Sequence, residues 1–236
     1  MLFRSTLIVL AALPALLGRS ALASDPGTDS LLKLKAGNAR FAADPAVALP
    51  VDRARRAAVA AGRSPFAMIL SCADSSVPPE IVFNAGLGEL FVVRAAGHVS
   101  DRAVAASLEY GAEHLHAPLL VVMGHESCGV VNAALESKPG ASRGPNLDYL
   151  IKAIGPAVKR TAPGDQDRIK AAILANVEES INDLLERSTI LHQLAANGTL
   201  TIVGAYDEIS TGRVHFSEPI ATPSRPGTDA SGGSHE

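Results

Sequence analysis

Short apolar runs at residues 66–70, 90–93, 119–123 and 200–205 recur along this chain, and helix-like segments at 79–83, 102–116 and 128–135 lie between the first three and after the third. Runs of that length, bounded by turn residues, read as buried strands. Their alternation with helices predicts an α/β fold: a central, mostly parallel β-sheet flanked by helices. Ahead of this pattern, Leu31, Leu32, Leu34, Ala39 and Phe41 fit an amphipathic helix with Asp29 or Ser30 as N-cap, an N-terminal helical arm. A second, exposed, alanine-rich helix is expected over 53–61, ending at Gly62. Beyond a Pro/Gly/Ser-rich loop at 138–146, helices are expected over 147–159 and 165–197. The strand at 200–205 then turns near 210–212 into 213–216 as a hairpin.

Two clusters sit where this pattern places strand ends: Cys72-Ala73-Asp74 after the first strand and His125-Glu126-Ser127-Cys128 after the third. The carboxyl ends of parallel strands are where open α/β sheets build their sites. Alternate residues of extended chain share a face, so Cys72 and Asp74 project together. Residues three apart share a helical face, which does the same for His125 and Cys128. Thiolate, imidazole and carboxylate are the side chains that hold Zn2+. Four protein ligands close its tetrahedral shell, whereas three leave a place for water or substrate. The role of Asp74 therefore decides what such a site does. Both cysteines of the 236-residue sequence lie in these clusters, and a single disulfide between them is the alternative in an oxidising compartment.

Rival motifs fit less well. Gly124 stands three residues before Ser127, which breaks the G-x-S-x-G spacing of a hydrolase elbow. Gly86-Leu87-Gly88 precedes a strand and reads as a turn, not a dinucleotide loop. His114 and His116, near a helix end, read as surface residues. His98 reads as a hydrogen-bonded structural histidine, with a pocket-lining or proton-shuttling role as the alternative.

The formal net charge is −3, and no basic run interleaves with aromatics. That balance excludes nucleic acid and anionic membranes as expected partners and leaves a small molecule. Residues 1–23 read as a signal peptide, with Arg4, an apolar stretch at 7–17 and a small-residue site at Ala21-Leu22-Ala23. The apolar stretch falls short of the roughly 20 residues that span a bilayer, so a retained anchor is the alternative. The expected product is a periplasmic or secreted protein without stable membrane contact after processing. It has one domain at 24–216 and a Pro/Gly/Ser/Thr-rich, disordered tail at 217–236.

These residues, in this order, resemble the β-class carbonic anhydrases. The resemblance runs through Gly37-Asn38-Ala39-Arg40-Phe41, Ser71-Cys72-Ala73-Asp74-Ser75, the run from Gly88 to Arg94, Ser107-Leu108-Glu109-Tyr110-Gly111, Gly124-His125-Glu126-Ser127-Cys128-Gly129, and Tyr206-Asp207-Glu208 with Thr211-Gly212. It implies reversible hydration of CO2 to bicarbonate on Zn2+ and assembly as a homodimer or a tetramer of dimers. It also implies Cys72, His125 and Cys128 as zinc ligands. Asp74 matches the family's aspartate, which is either the fourth ligand or swings away to pair with an arginine two residues later. Here that arginine position is Ser76. A hydroxyl offers one neutral hydrogen bond where a guanidinium offers a charged fork, so Asp74 is expected to be drawn toward the ion in a closed site, with Arg94 the one substitute partner in view. Ala95 and His98 also depart from the family, which often has Asn at both. A non-catalytic zinc-binding relative and a hydrolase of a CO2-like molecule such as carbonyl sulfide are the alternative functions.

Overall fold

The computed structural model describes residues 25–43, 48–138, 140–162 and 167–221. The expected signal peptide at 1–23 lies outside the described residues, as does the tail from 222 onward. Among the described residues, no helix is long and apolar enough to cross a membrane.

Five strands form one sheet: β1 (Ala67–Ser71), β2 (Leu90–Arg94), β3 (Leu119–His125), β4 (Thr201–Glu208) and β5 (Arg213–Phe216), in the order β2-β1-β3-β4-β5. The pairs of β1 with β2, β1 with β3 and β3 with β4 are parallel, and β5 returns antiparallel to β4. Side-chain alternation explains why apolar runs without polar gaps form the centre. Met68, Leu70, Leu120 and Val122 enter one core layer, while Ala67, Ile69, Leu119, Val121 and Met123 enter the layer on the opposite face.

Helices cover both layers. α1 (Pro26–Ala43) and the one-turn α3 (Pro79–Val82), with Phe83 directly after it, supply Leu31, Leu34, Val82 and Phe83 to one face. α4 (Arg102–Glu113), α7 (Arg168–Arg187) and α8 (Thr189–Ala196) supply Leu108, Val177, Ile181, Leu184 and Leu191 to the other. α2 (Arg53–Ala61) lies outside, with no buried residue. All seven residues of β3 are buried, so truncating Leu120 to Ala is expected to cost about 2–5 kcal/mol. Where α1 crosses the turn after α3, a Cβ on Gly37 would stand 2.0 Å from the Phe83 carbonyl oxygen. Only glycine permits that approach.

Several boundaries differ from the sequence expectation. The single helix expected over 165–197 is broken at Ser188, whose extended backbone caps α8 by accepting from Leu191 N at 3.1 Å. Its hydroxyl also donates to Glu109 on α4 at 2.6 Å, so a tertiary hydrogen bond and a local cap together interrupt the helical pattern. α1 starts at Pro26, ahead of the expected caps Asp29 and Ser30, with Asp25 accepting from Thr28 N. Residues 217–221, expected to begin the disordered tail, run along β4: Ser217 N donates to Gly204 O and Ile220 N to Ile202 O, both at 2.8 Å.

A third apolar cluster lies at the carboxyl ends of β1, β3 and β4. It is built from Val77, Val99, Val131, Ile154, Ile173 and Tyr206, with α5 (Gly129–Leu135) and α6 (Pro145–Lys159) contributing. Cys72 and Cys128 belong to this cluster.

Candidate metal centre

Cys72 is the first residue after β1, and the loop that follows is tied to the end of β2. Ala95 N donates to Ser71 O at 3.1 Å, and Ala73 N returns to Ala95 O at 3.2 Å. Arg94 fastens the same loop, donating through Nε to Cys72 O at 2.9 Å and through Nη2 to Asp74 O. The partner that sequence left open for Asp74 thus reaches the loop, but it holds main-chain oxygens. On the neighbouring strand β3 ends at His125, Ser127 takes a left-handed turn at φ 58°, and Cys128 sits at the start of α5.

These elements bring three side chains together. The ligand atoms of Cys72, His125 and Cys128 all lie within 4.8 Å of one another, at 5%, 1% and 1% exposure. Both cysteines are free thiols, not a disulfide. His125 Nδ1 lies 2.9 Å from Glu126 O; since a carbonyl only accepts, Nδ1 carries the proton and Nε2 presents a lone pair. That Nε2 is buried and, among the described residues, has no hydrogen-bond partner. An orphaned buried acceptor beside two thiols is costly unless something binds it, and two sulfurs with one imidazole nitrogen form a donor set suited to Zn2+. The residues fit the ion.

The electrostatics agree. The Cys128 side chain, hydrogen bonded to Cys72, draws Cys72 down to about 3 despite opposing burial, with His125 and the Gly97 N–H assisting. The same contact, with burial, pushes Cys128 up. Burial works against a charge on His125, but the Cys72 thiolate outweighs it and raises the imidazole. Metal uptake therefore displaces the proton of Cys128 and competes with protons for Nε2 of His125.

Asp74 stands outside this group among the described residues. Its Oδ1 accepts from the Ser76 hydroxyl at 2.6 Å and from Ser76 N at 2.9 Å, and these two bonds, the hydroxyl's first, lower its pKa. The Ser76 hydroxyl supplies the one neutral hydrogen bond expected of it, and the main-chain N–H of the same residue adds a second bond to the same oxygen.

Three further groups border the centre. Gly97 N donates to Cys72 Sγ at 3.3 Å. Asp207 lies beside His125 in the β3–β4 register, and burial lifts its carboxyl to about 6, with His125 opposing and Glu126 adding. His98 is fully buried, as the structural reading of it expected, held by Asn176 and Ser180 of α7. Neither α7 residue stands out in the sequence as a site residue. Their signal was two polar side chains at i, i+4 amid the apolar stripe of Ile173, Val177, Ile181 and Leu184.

Comparison with known proteins gives one family throughout. The family profile described as carbonic anhydrase matches residues 67–214. Carbonic anhydrase 2 of Mycobacterium tuberculosis is 40% identical over 188 residues, covering 79% of this chain and 91% of that protein. The carbonic anhydrase of Mycolicibacterium smegmatis is 38% identical over 184 residues, covering 78% and 89%. Among solved structures, the Coccomyxa β-carbonic anhydrase in complex with acetazolamide superposes with a TM-score of 0.64 at 27% identity, covering 73% of this chain and 80% of that one. The fold, the ordered motifs and these relatives together make the chain a member of the β-class carbonic anhydrase family.

Proposed function

We propose that the protein catalyses the zinc-dependent, reversible hydration of CO2 to bicarbonate and a proton, with Cys72, His125 and Cys128 holding the ion. The observation that carries this reading is the buried, unpartnered Nε2 of His125 beside two sulfurs while Asp74 is engaged elsewhere. Bound there, zinc supplies a Lewis acid that brings the deprotonation of water into the neutral range.

The chain's own residues do the rest. Two thiolates offset the charge of the ion, and the Glu126 carbonyl fixes the imidazole tautomer. Val77, Val99, Val131 and Tyr206 pack with the cysteines and keep bulk water from the sulfurs. Asp74, ionised and turned to Ser76, stays clear of the ligand group and is an acceptor that can orient a reacting water toward CO2. The same reading takes the chain to a homodimer or tetramer of dimers, as the resemblance implies, and to export through residues 1–23; mass measurement in solution and N-terminal sequencing of the exported protein test these two parts.

Stopped-flow CO2 hydration by zinc-loaded protein across pH tests the activity, with carbonyl sulfide assayed alongside. Turnover of CO2 is expected. Its absence at every pH, with zinc bound, contradicts the reading, and turnover of carbonyl sulfide in its place redirects it.

A further inference from the structure

Asn176 and Ser180 lie one turn apart on the buried face of α7, at 2% and 3% exposure. Polar side chains in that position are unfavourable unless hydrogen bonded. Among the described residues, their side-chain hydrogen bonds go to one short 3-10 turn, Ala96–His98. Asn176 Nδ2 donates to Gly97 O at 2.9 Å and to His98 Nε2 at 3.4 Å. The Ser180 hydroxyl donates to His98 O at 3.2 Å and so accepts from His98 Nδ1, 3.1 Å away. Both ring nitrogens are satisfied with the imidazole neutral, and burial keeps it so by drawing its pKa down to about 4.

The turn needs such a grip. Gly97 and His98 both have left-handed backbone, at φ 64° and 45°, a conformation that a residue with a Cβ adopts only when its surroundings hold it there. What the grip achieves is the aim of one donor: Gly97 N–H points at Cys72 Sγ, 3.3 Å away.

We propose that His98, clamped between Asn176 and Ser180, is a positioning residue that holds the Gly97 N–H on the Cys72 sulfur and thereby sets how strongly this thiolate donates to a bound metal. The inference rests on the reading of Cys72, His125 and Cys128 as the metal's holders. A hydrogen bond to a thiolate stabilises the sulfur lone pairs, tempers their donation and fixes the direction of the Cβ–Sγ bond. Outer partners of this kind are worth about 10- to 100-fold in metal affinity.

The test compares the wild-type mature protein with Ser180→Ala, Asn176→Leu and the hydroxyl-retaining Ser180→Thr. Two readouts are used: competition with a chromophoric chelator for Zn2+, and the thiolate-to-metal charge-transfer band of the Co2+ form. His98→Asn is a second route, since Asn tolerates left-handed backbone. Loss of the clamp releases the direction of the Cβ–Sγ bond, which outweighs the stronger donation of a sulfur without its hydrogen bond: zinc binding is expected to weaken about tenfold and the cobalt band to move to longer wavelength, with Ser180→Thr near wild type. Variants that lose thermal stability while zinc affinity and the cobalt band stay at wild-type values overturn the proposal and leave the clamp a purely structural device. A wild-type protein that shows no thiolate–cobalt band overturns the metal reading itself, and the inference with it.

Discussion

The Ser76 hydroxyl donates to Asp74 Oδ1 at 2.6 Å, and the Ser76 backbone N–H reaches the same oxygen at 2.9 Å. The residue that stands where the family has an arginine is therefore the partner of the aspartate it would otherwise leave free. Removing only the hydroxyl isolates its share. Ser76→Ala is expected to lower kcat/KM for CO2 hydration roughly two- to tenfold, the range of one hydrogen bond. The acidic limb of the pH–rate profile should also move to higher pH, because Ser76 is what lowers the pKa of Asp74. Ser76→Arg is expected to give little gain. Stopped-flow pH profiles of the three proteins decide this.

Metal removal should separate holding residues from neighbours. Cys128→Ser and His125→Ala are expected to lose zinc from full to near-zero occupancy in elemental analysis, whereas Asp74→Asn retains it. Chelation of the wild type should lower its melting temperature, since an ion bound only by the native state stabilises it by mass action. Cys128 is held as the thiol without metal, and the His125 imidazole takes up a proton more readily than a free one, so zinc affinity is expected to fall as pH is lowered.

His98 predicts an acid sensitivity. Burial, followed by the opposing Cys72 thiolate and the assisting His125 charge, leaves its folded pKa at about 4 against 6.5 for the free side chain. Its neutral form thus contributes stability that is complete above pH 6.5 and is lost as pH falls toward 4, by roughly 2–3 kcal/mol. Denaturant titrations from pH 7 to 4 should show this slope, and His98→Asn should flatten it whatever its effect at pH 7.

Gly97→Ala should be destabilising on steric grounds alone. The added Cβ would meet Val130 Cγ1 at 2.6 Å and Ile154 Cδ1 at 2.9 Å, on a backbone already at φ 64°. A cost of about 1–3 kcal/mol is expected from such overpacking and strain, read as a lower denaturation midpoint at unchanged m-value.

Much of this was legible in the residues. The apolar runs around Met68, Val92, Val121 and Val203 announce their strands because both faces of the sheet are covered, so no polar alternation dilutes the signal. Cys72, His125 and Cys128 stand out because few other roles fit those side chains at strand ends. Ser188 was not legible: its break in the helix depends on Glu109, 79 residues away. The same holds for the hold of Ser180 on His98, made across 82 residues, and for Arg94, whose reach to Cys72 O follows from strand register. The hydroxyl of Ser76 is legible as a hydrogen-bond donor to Asp74, but the main-chain N–H that binds the same oxygen belongs to the turn and not to the residue type, so the sequence does not show it.

A crystal structure of the zinc-loaded protein at neutral pH tests the central claim most directly. The account predicts an ion on Cys72 Sγ, His125 Nε2 and Cys128 Sγ, with Asp74 Oδ1 still accepting from Ser76 and no carboxylate oxygen bonded to the metal. An Asp74 oxygen at a zinc-bonding distance of about 2.0–2.2 Å, in place of its bonds to Ser76, would contradict it.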